Sequence, residues 1–155
     1  MSLLHDFVEK KHCILIEEAA DWREAIRIGC QPLLADGTID ERYQKKVIEC
    51  VEQYGPYIVL IPGVAMPHSQ QGAEGVFKTA IGFMKVEKPV VFVEGDPDKY
   101  ANLFFTLASC NPEEHLANMS QLADMLGNDD LLEELMENVH NEADLLRVAD
   151  KYPLE

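Results

Sequence analysis

The stretch NLFFTLASC, residues 102 to 110, is apolar almost throughout and runs straight into NPEEH. A strand with one face in water alternates apolar and polar residues, so an unbroken apolar run of strand length needs cover on both faces. The flanking sequence supplies that cover as helices. Upstream, Asp21 followed by Glu24 reads as a capping box, with Trp22, Ala25, Ile26, Gly29, Cys30, Leu33 and Leu34 on one helical stripe that stops at Gly37. Thr38 and Glu41 read as a second box, opening a helix whose stripe is Tyr43, Val47, Cys50, Val51 and Tyr54 and which ends at Gly55-Pro56. Downstream, Asn111 offers an N-cap, Pro112 suits the first helical position, and Glu113 and Glu114 favour the first turn. Leu116, Met119, Leu122, Ala123 and Leu126 then form the expected core stripe, and two shorter helices follow near 130–139 and 142–151.

Between these helical segments lie the remaining strand signals. YIVLI, 57–61, is too short for a helix and rich in β-branched residues, which predicts a buried strand. VFKTAIGFMKV, 76–86, has strand alternation, and KPVVFVEGDPD predicts a short edge strand and turn. Helices before, strands in the middle and helices after predict an α/β fold: a three-layer αβα sandwich with a mixed central sheet. The 155 residues, without repeat or linker, fit one domain spanning 1–155.

Charge narrows the partners. A net charge of −15 opposes a phosphate backbone or an anionic lipid surface, so no nucleic acid is expected, and no direct membrane insertion, since no apolar stretch is long enough to span a bilayer. Residues 111–155 hold 12 Asp/Glu against 2 Lys/Arg, which predicts a solvated acidic helical face. The start, MSLLHDFVEKKH, lacks the features of a secretory signal, and a cytoplasmic protein is expected. Cys13, Cys30, Cys50 and Cys110 stand singly, which predicts reduced thiols in the core.

The loop IPGVAMPHSQQG, 61–72, is where the chain is most constrained. Pro62 and Pro67 fix φ and bias the residues before them toward extended backbone, and Gly63 permits a turn other residues would strain. His68 is therefore presented on a pre-set loop just beyond a strand, where ligand crevices of α/β sheets lie. His115 sits at the start of the helix after the other apolar strand, where the helix dipole favours an anion. Two imidazoles at the ends of two strands can converge on a phosphate. Taken separately, His68 reads first as a surface turn residue, and His115 as a helical residue bonded to Glu113 or Glu114. No compact ligand spacing such as H-E-x-x-H predicts a metal, and Cys110 closing an apolar strand reads as packing rather than as a nucleophile paired with His115. His5, His12 and His140 take no functional role. Met66 and Val64 are candidates for an apolar rim against which a partner docks.

PGVAMPHSQ closely resembles the phosphorylation loop of the mannitol/fructose-type enzyme IIA components of the bacterial phosphotransferase system. The resemblance extends along nearly the whole chain, through VIECVEQYGPYIVLIPGVAMPH and NLFFTLASC to NPEEHLANMSQLADML, which is similar to the segment bearing that family's second active-site histidine. It implies a phosphotransferase with a phosphohistidine intermediate. His68 would take a phosphoryl group from HPr and pass it to a cysteine of enzyme IIB, with His115 stabilising the charge. The membrane enzyme IIC would be served indirectly, and no bound cofactor is implied. Two departures stand out. Glu52-Gln53 replaces the Arg-Glu pair common at the end of the second helix, and Ser69 and Gln70 follow the histidine where Gly is frequent. EQYGPYIVLIPGVAMPH is similar to the ascorbate-type subgroup, which implies L-ascorbate uptake. A phosphorylation-controlled regulatory module of the same fold is the alternative.

Overall fold

A five-stranded mixed sheet in the order β1-β4-β5-β3-β2 organises the computed structural model. It describes residues 2–70 and 72–152, so the expected domain of 1–155 reaches past the described residues at both ends. The strands are β1 (Cys13–Ile16), β2 (Val59–Ile61), β3 (Gly63–Ala65), β4 (Ala80–Val91) and β5 (Tyr100–Ala108). β1 runs parallel to β4 and β3 parallel to β5, whereas β4 with β5 and β2 with β3 are antiparallel.

β5 is the central strand, and the two-sided burial expected of 102–110 is observed. Leu103, Phe105 and Leu107 enter one apolar cluster, Phe104 and Ala108 the other. The first cluster is closed by α1 (Leu3–Glu9), α4 (Pro112–Leu126), α5 (Asp129–Glu137) and α6 (Glu142–Lys151), the second by α2 (Trp22–Ala35) and α3 (Glu41–Tyr54). The three-layer sandwich with a mixed sheet is therefore the observed architecture. Phe7, Phe83 and Phe105 pack together in the first cluster, with ring centroids 5.3–6.2 Å apart, Phe7 stacked on Phe83 and Phe105 tilted against both.

Several local expectations change. YIVLI does not form a buried strand: only Val59–Ile61 pairs, at the sheet edge, with Leu60 and Ile61 exposed. The buried strand is its short neighbour β3, reached by a tight reversal in which Gly63 takes φ +89° and a Cβ would meet the Met136 methyl at 2.6 Å. KPVV is not a separate strand but the end of twelve-residue β4, past Val86, the last residue paired with β1. Pro89 falls where the β4–β5 register shifts between Lys85 and Val90, the kind of irregularity that tolerates a missing donor. Thr38 does not cap α3. It is buried within the closing turn of α2, where Thr38 N and Ile39 N donate to Leu33 O, and the cap is Asp40, whose carboxylate accepts from Arg42 N at 2.9 Å. Asp21 caps α2 as expected, accepting from Glu24 N at 2.8 Å.

In α4, Leu122 and Met125 are the buried residues, while Leu116 and Ala123 are exposed. The stripe that packs against the sheet starts one turn later than the sequence suggests, because the first turn carries His115 rather than core contacts. Cys30 and Cys50 are buried and Cys13 partly so, but Cys110 is exposed in the turn between β5 and α4; all four are free thiols. The acidic tail is solvated as expected, with Asp129, Asp130, Glu133, Glu137, Glu142 and Asp150 exposed. Among the described residues, no helix is long and apolar enough to cross a membrane.

Candidate functional site

Because β3 and β5 are parallel neighbours, their carboxyl ends lie side by side on one edge of the sheet. His68 follows β3 by three residues, and His115 follows β5 by seven, in the first turn of α4. Topology thus brings together two rings that are distant in sequence. Both line one cavity of ≈ 240 Å³, with Tyr43, Ser69, Gly72, Ala73, Leu107 and Ser109. The described residues lining it include no lysine or arginine.

The His68 loop is held at four backbone points. Met66 N donates to Ile58 O at 2.8 Å, and Leu107 N donates to Pro67 O at 2.9 Å, continuing the β3–β5 ladder past the strand end. The Tyr57 hydroxyl donates to the His68 carbonyl, and Ser69 N donates to the Tyr43 hydroxyl at 3.4 Å. Val64 and Met66, expected at an exposed rim, are instead buried under this loop, their side chains filling the first core cluster.

The imidazole itself is oriented from two sides. Tyr57 meets it edge-on, with centroids 5.1 Å apart and planes at 89°. His68 Nδ1 lies 2.6 Å from Met66 O. A carbonyl oxygen only accepts, so Nδ1 carries the proton, and in the neutral ring Nε2 keeps its lone pair. A nitrogen with a free lone pair on a fixed ring is a competent nucleophile toward phosphorus.

His115 is placed by the capping of α4: Asn111 accepts from Glu114 N at 3.0 Å through its side chain, and from His115 N at 3.0 Å through its carbonyl. The two glutamates that would oppose an anion are kept out of the cavity. Glu114 lines a different cleft, and Glu113 lines neither. Neither bonds the His115 ring among the described residues. Glu52, which takes the place of the family's usual arginine, is engaged by Arg23 at 3.0 Å on the surface.

The sequence pointed to His68 and His115 and missed the hydroxyls around them. Tyr43 was read as core, and it is buried, yet a buried phenol must find partners. It donates to Leu107 O at 2.6 Å, and burial pushes its pKa up to about 12, so it remains a donor at neutral pH. Burial, and then the nearby Cys50, also raise Tyr57 well above the usual phenol range.

The chain matches the model of the phosphoenolpyruvate-dependent sugar phosphotransferase system EIIA 2 family over residues 6–151. It belongs to that family. As an EIIA component it is a phosphotransferase of a sugar-transport system. It is 36% identical over 115 residues to the ascorbate-specific PTS system EIIA component of Escherichia coli K12, covering 74% of this chain and 73% of that one. The counterpart of Salmonella typhi is 35% identical over the same length. Among solved structures, the mannitol-specific cryptic phosphotransferase enzyme IIA of E. coli superposes with a TM-score of 0.82 at 30% identity, over 98% of this chain and all of that one. The mannitol enzyme IIA of E. coli, solved in complex with phosphorylated mannitol enzyme IIB, shares the fold with a TM-score of 0.74 at 24% identity, over 92% and 96% of the two chains.

Proposed function

We propose that this EIIA serves L-ascorbate uptake in the cytoplasm, accepting a phosphoryl group from phospho-HPr on Nε2 of His68 and passing it to a cysteine of a cognate enzyme IIB. The enzyme IIB in turn supplies the sugar entering through a membrane enzyme IIC. In the first step the P–N bond of the donor phosphohistidine breaks as a P–N bond to His68 forms, and the electron pair returns to the donor ring. In the second, a thiolate takes the phosphoryl group and His68 recovers its lone pair. Both steps need in-line geometry and charge stabilisation more than covalent machinery from the protein. His115 and the start of α4 supply that stabilisation without a cation.

The observation carrying this reading is the shared cavity: His68 with Nδ1 committed to Met66 O, facing the same space as His115. Likeness to ascorbate-specific relatives supports the choice of sugar, and the IIB-bound structure of a protein of the same fold supports the acceptor. The test is incubation with phospho-HPr labelled with ³²P, followed by mapping of the label and addition of an ascorbate-type enzyme IIB. Label is expected on His68 and then on the IIB cysteine. A wild-type chain that takes no label, or takes it elsewhere, overturns the proposal.

A further inference from the structure

Tyr43 is a buried polar residue on the wall of the histidine cavity that the relay does not itself consume. It stands on α3, far from both histidines in sequence, and its side chain is almost wholly enclosed. Phenylalanine would fill the same space without the cost of taking a hydroxyl out of water. Both hydrogen bonds of that hydroxyl go to the segments that carry the histidines: it donates to Leu107 O and accepts from Ser69 N. Leu107 N in turn donates to Pro67 O. These three hydrogen bonds, closed by the covalent run Pro67–His68–Ser69, form a circuit through the residue that carries the imidazole. From Leu107 the chain continues through Ser109, on the cavity wall, into α4 and His115.

We propose that Tyr43 is a positioning residue for phosphoryl transfer: its hydroxyl joins the His68 loop to the end of β5 and so sets the reach between His68 and His115. The inference rests on the phosphoryl-relay reading of the site and adds a residue to it. Removing the hydroxyl breaks its bonds to Leu107 O and Ser69 N and loosens the tie between the loop and the strand. Misplacement of a reacting group by about 1 Å costs about 10²-fold in rate.

The test compares Tyr43→Phe with Val47→Ala, a core truncation on the same helix with no contact to the cavity. Phosphoryl transfer from phospho-HPr is measured by rapid quench, with ¹⁵N spectra of the histidine rings recorded on the unphosphorylated proteins. Tyr43→Phe is expected to lower kcat about 10- to 100-fold with KM for phospho-HPr unchanged, because Tyr43 is buried away from any docking protein, and to shift the His68 ring signals. Val47→Ala is expected to lower Tm while keeping the wild-type kcat and ring signals. A Tyr43→Phe enzyme as fast as wild type overturns the inference, as does an equal fall in kcat for Val47→Ala. Should the wild type accept no phosphate, the relay reading fails, and unchanged ring signals in Tyr43→Phe would then refute the positioning separately.

Discussion

Two cavities flank the start of α4, and they are built from opposite materials. The larger, ≈ 450 Å³, is lined by Asp6, Lys10, His12, Asp36, Lys78 and Glu114 among others. Several of its charged groups are engaged locally: Lys10 lies 3.5 Å from Asp6, His12 2.5 Å from Asp36, and Lys78 donates to the Asp36 backbone carbonyl at 3.2 Å. The smaller, holding His68 and His115, is lined by hydroxyls, small residues, Leu107 and two imidazoles, with no Lys, Arg, Asp or Glu among the described residues. The same division runs through the histidines. His5, His12 and His140 each meet a carboxylate, Asp150, Asp36 and Glu87, whereas among the described residues His68 and His115 meet none. An imidazole bound to a carboxylate is an anchor. One kept clear of carboxylates has its nitrogen available and no anion competing with a phosphoryl group.

The sharpest break of this contrast is a pair of substitutions. His68→Ala is expected to abolish labelling by phospho-HPr while leaving the circular dichroism spectrum unchanged. His12→Ala is expected to retain labelling and to lose about 0.5–1.5 kcal/mol of stability, since the buried ring gives up its hydrogen bond to the exposed Asp36 carboxylate, as read by urea denaturation. A labelled His68→Ala protein, or an inert but folded His12→Ala protein, would erase the distinction between the two cavities. Next in size, His115→Ala is expected to slow onward transfer about 10²-fold, the usual cost of one lost donor to a developing anion. Quench-flow transfer to enzyme IIB measures it, and an unchanged rate removes His115 from the site.

That His68 and His115 stand at constrained positions was legible in the sequence, because the Pro62–Gly63 and Pro67 constraints and the Asn111-Pro112 cap are local signals. Their meeting was not legible, since it depends on β3 lying parallel and adjacent to β5, and strand neighbours leave no mark on a single chain. The same limit explains the smaller errors. YIVLI is the more apolar and β-branched of the two segments, yet the sheet order makes it the edge and leaves GVA as the buried strand. Leu116 satisfies the helical period yet faces solvent, because periodicity fixes the face of a helix but not where along it the sheet begins. Thr38 fits the capping-box spacing, but closure of the preceding helix claims it first. Tyr43 shows what a composition-based reading loses: its ring is core, as the stripe implies, and its hydroxyl belongs to the site.

A pH titration sharpens the contrast from the anchored side. Burial alone would raise the Asp36 carboxyl, but hydrogen bonds from Thr38 and His12 outweigh it and hold the group below the usual carboxylate range. A depressed folded pKa contributes stability that is present above the unfolded value, about 3.9, and is lost as pH falls through the folded one. Wild type is therefore expected to exceed Asp36→Asn in Tm at pH 6, with the gap closing below about pH 4. Calorimetry across pH 3 to 6 reads this directly, and a gap that widened toward acid would contradict the pairing.

The smallest expected effect probes the wall between the two cavities. Glu114 and His115 are consecutive residues, yet the first lines the charged cleft and the second the histidine cavity. Glu114 stands in the first turn of α4, where a negative charge interacts favourably with the helix dipole, a contribution of about 0.3–1 kcal/mol that Glu114→Gln would forfeit. If the glutamate truly faces away from the phosphoryl group, its neutralisation changes the field there little, and the rate of transfer to enzyme IIB is expected to move by less than about twofold, while Tm falls slightly. An acceleration of tenfold or more would mean that the carboxylate had been repelling the phosphoryl group after all. The hydroxyl-lined cavity would then owe its selectivity to an acid at its rim, and not to the absence of one.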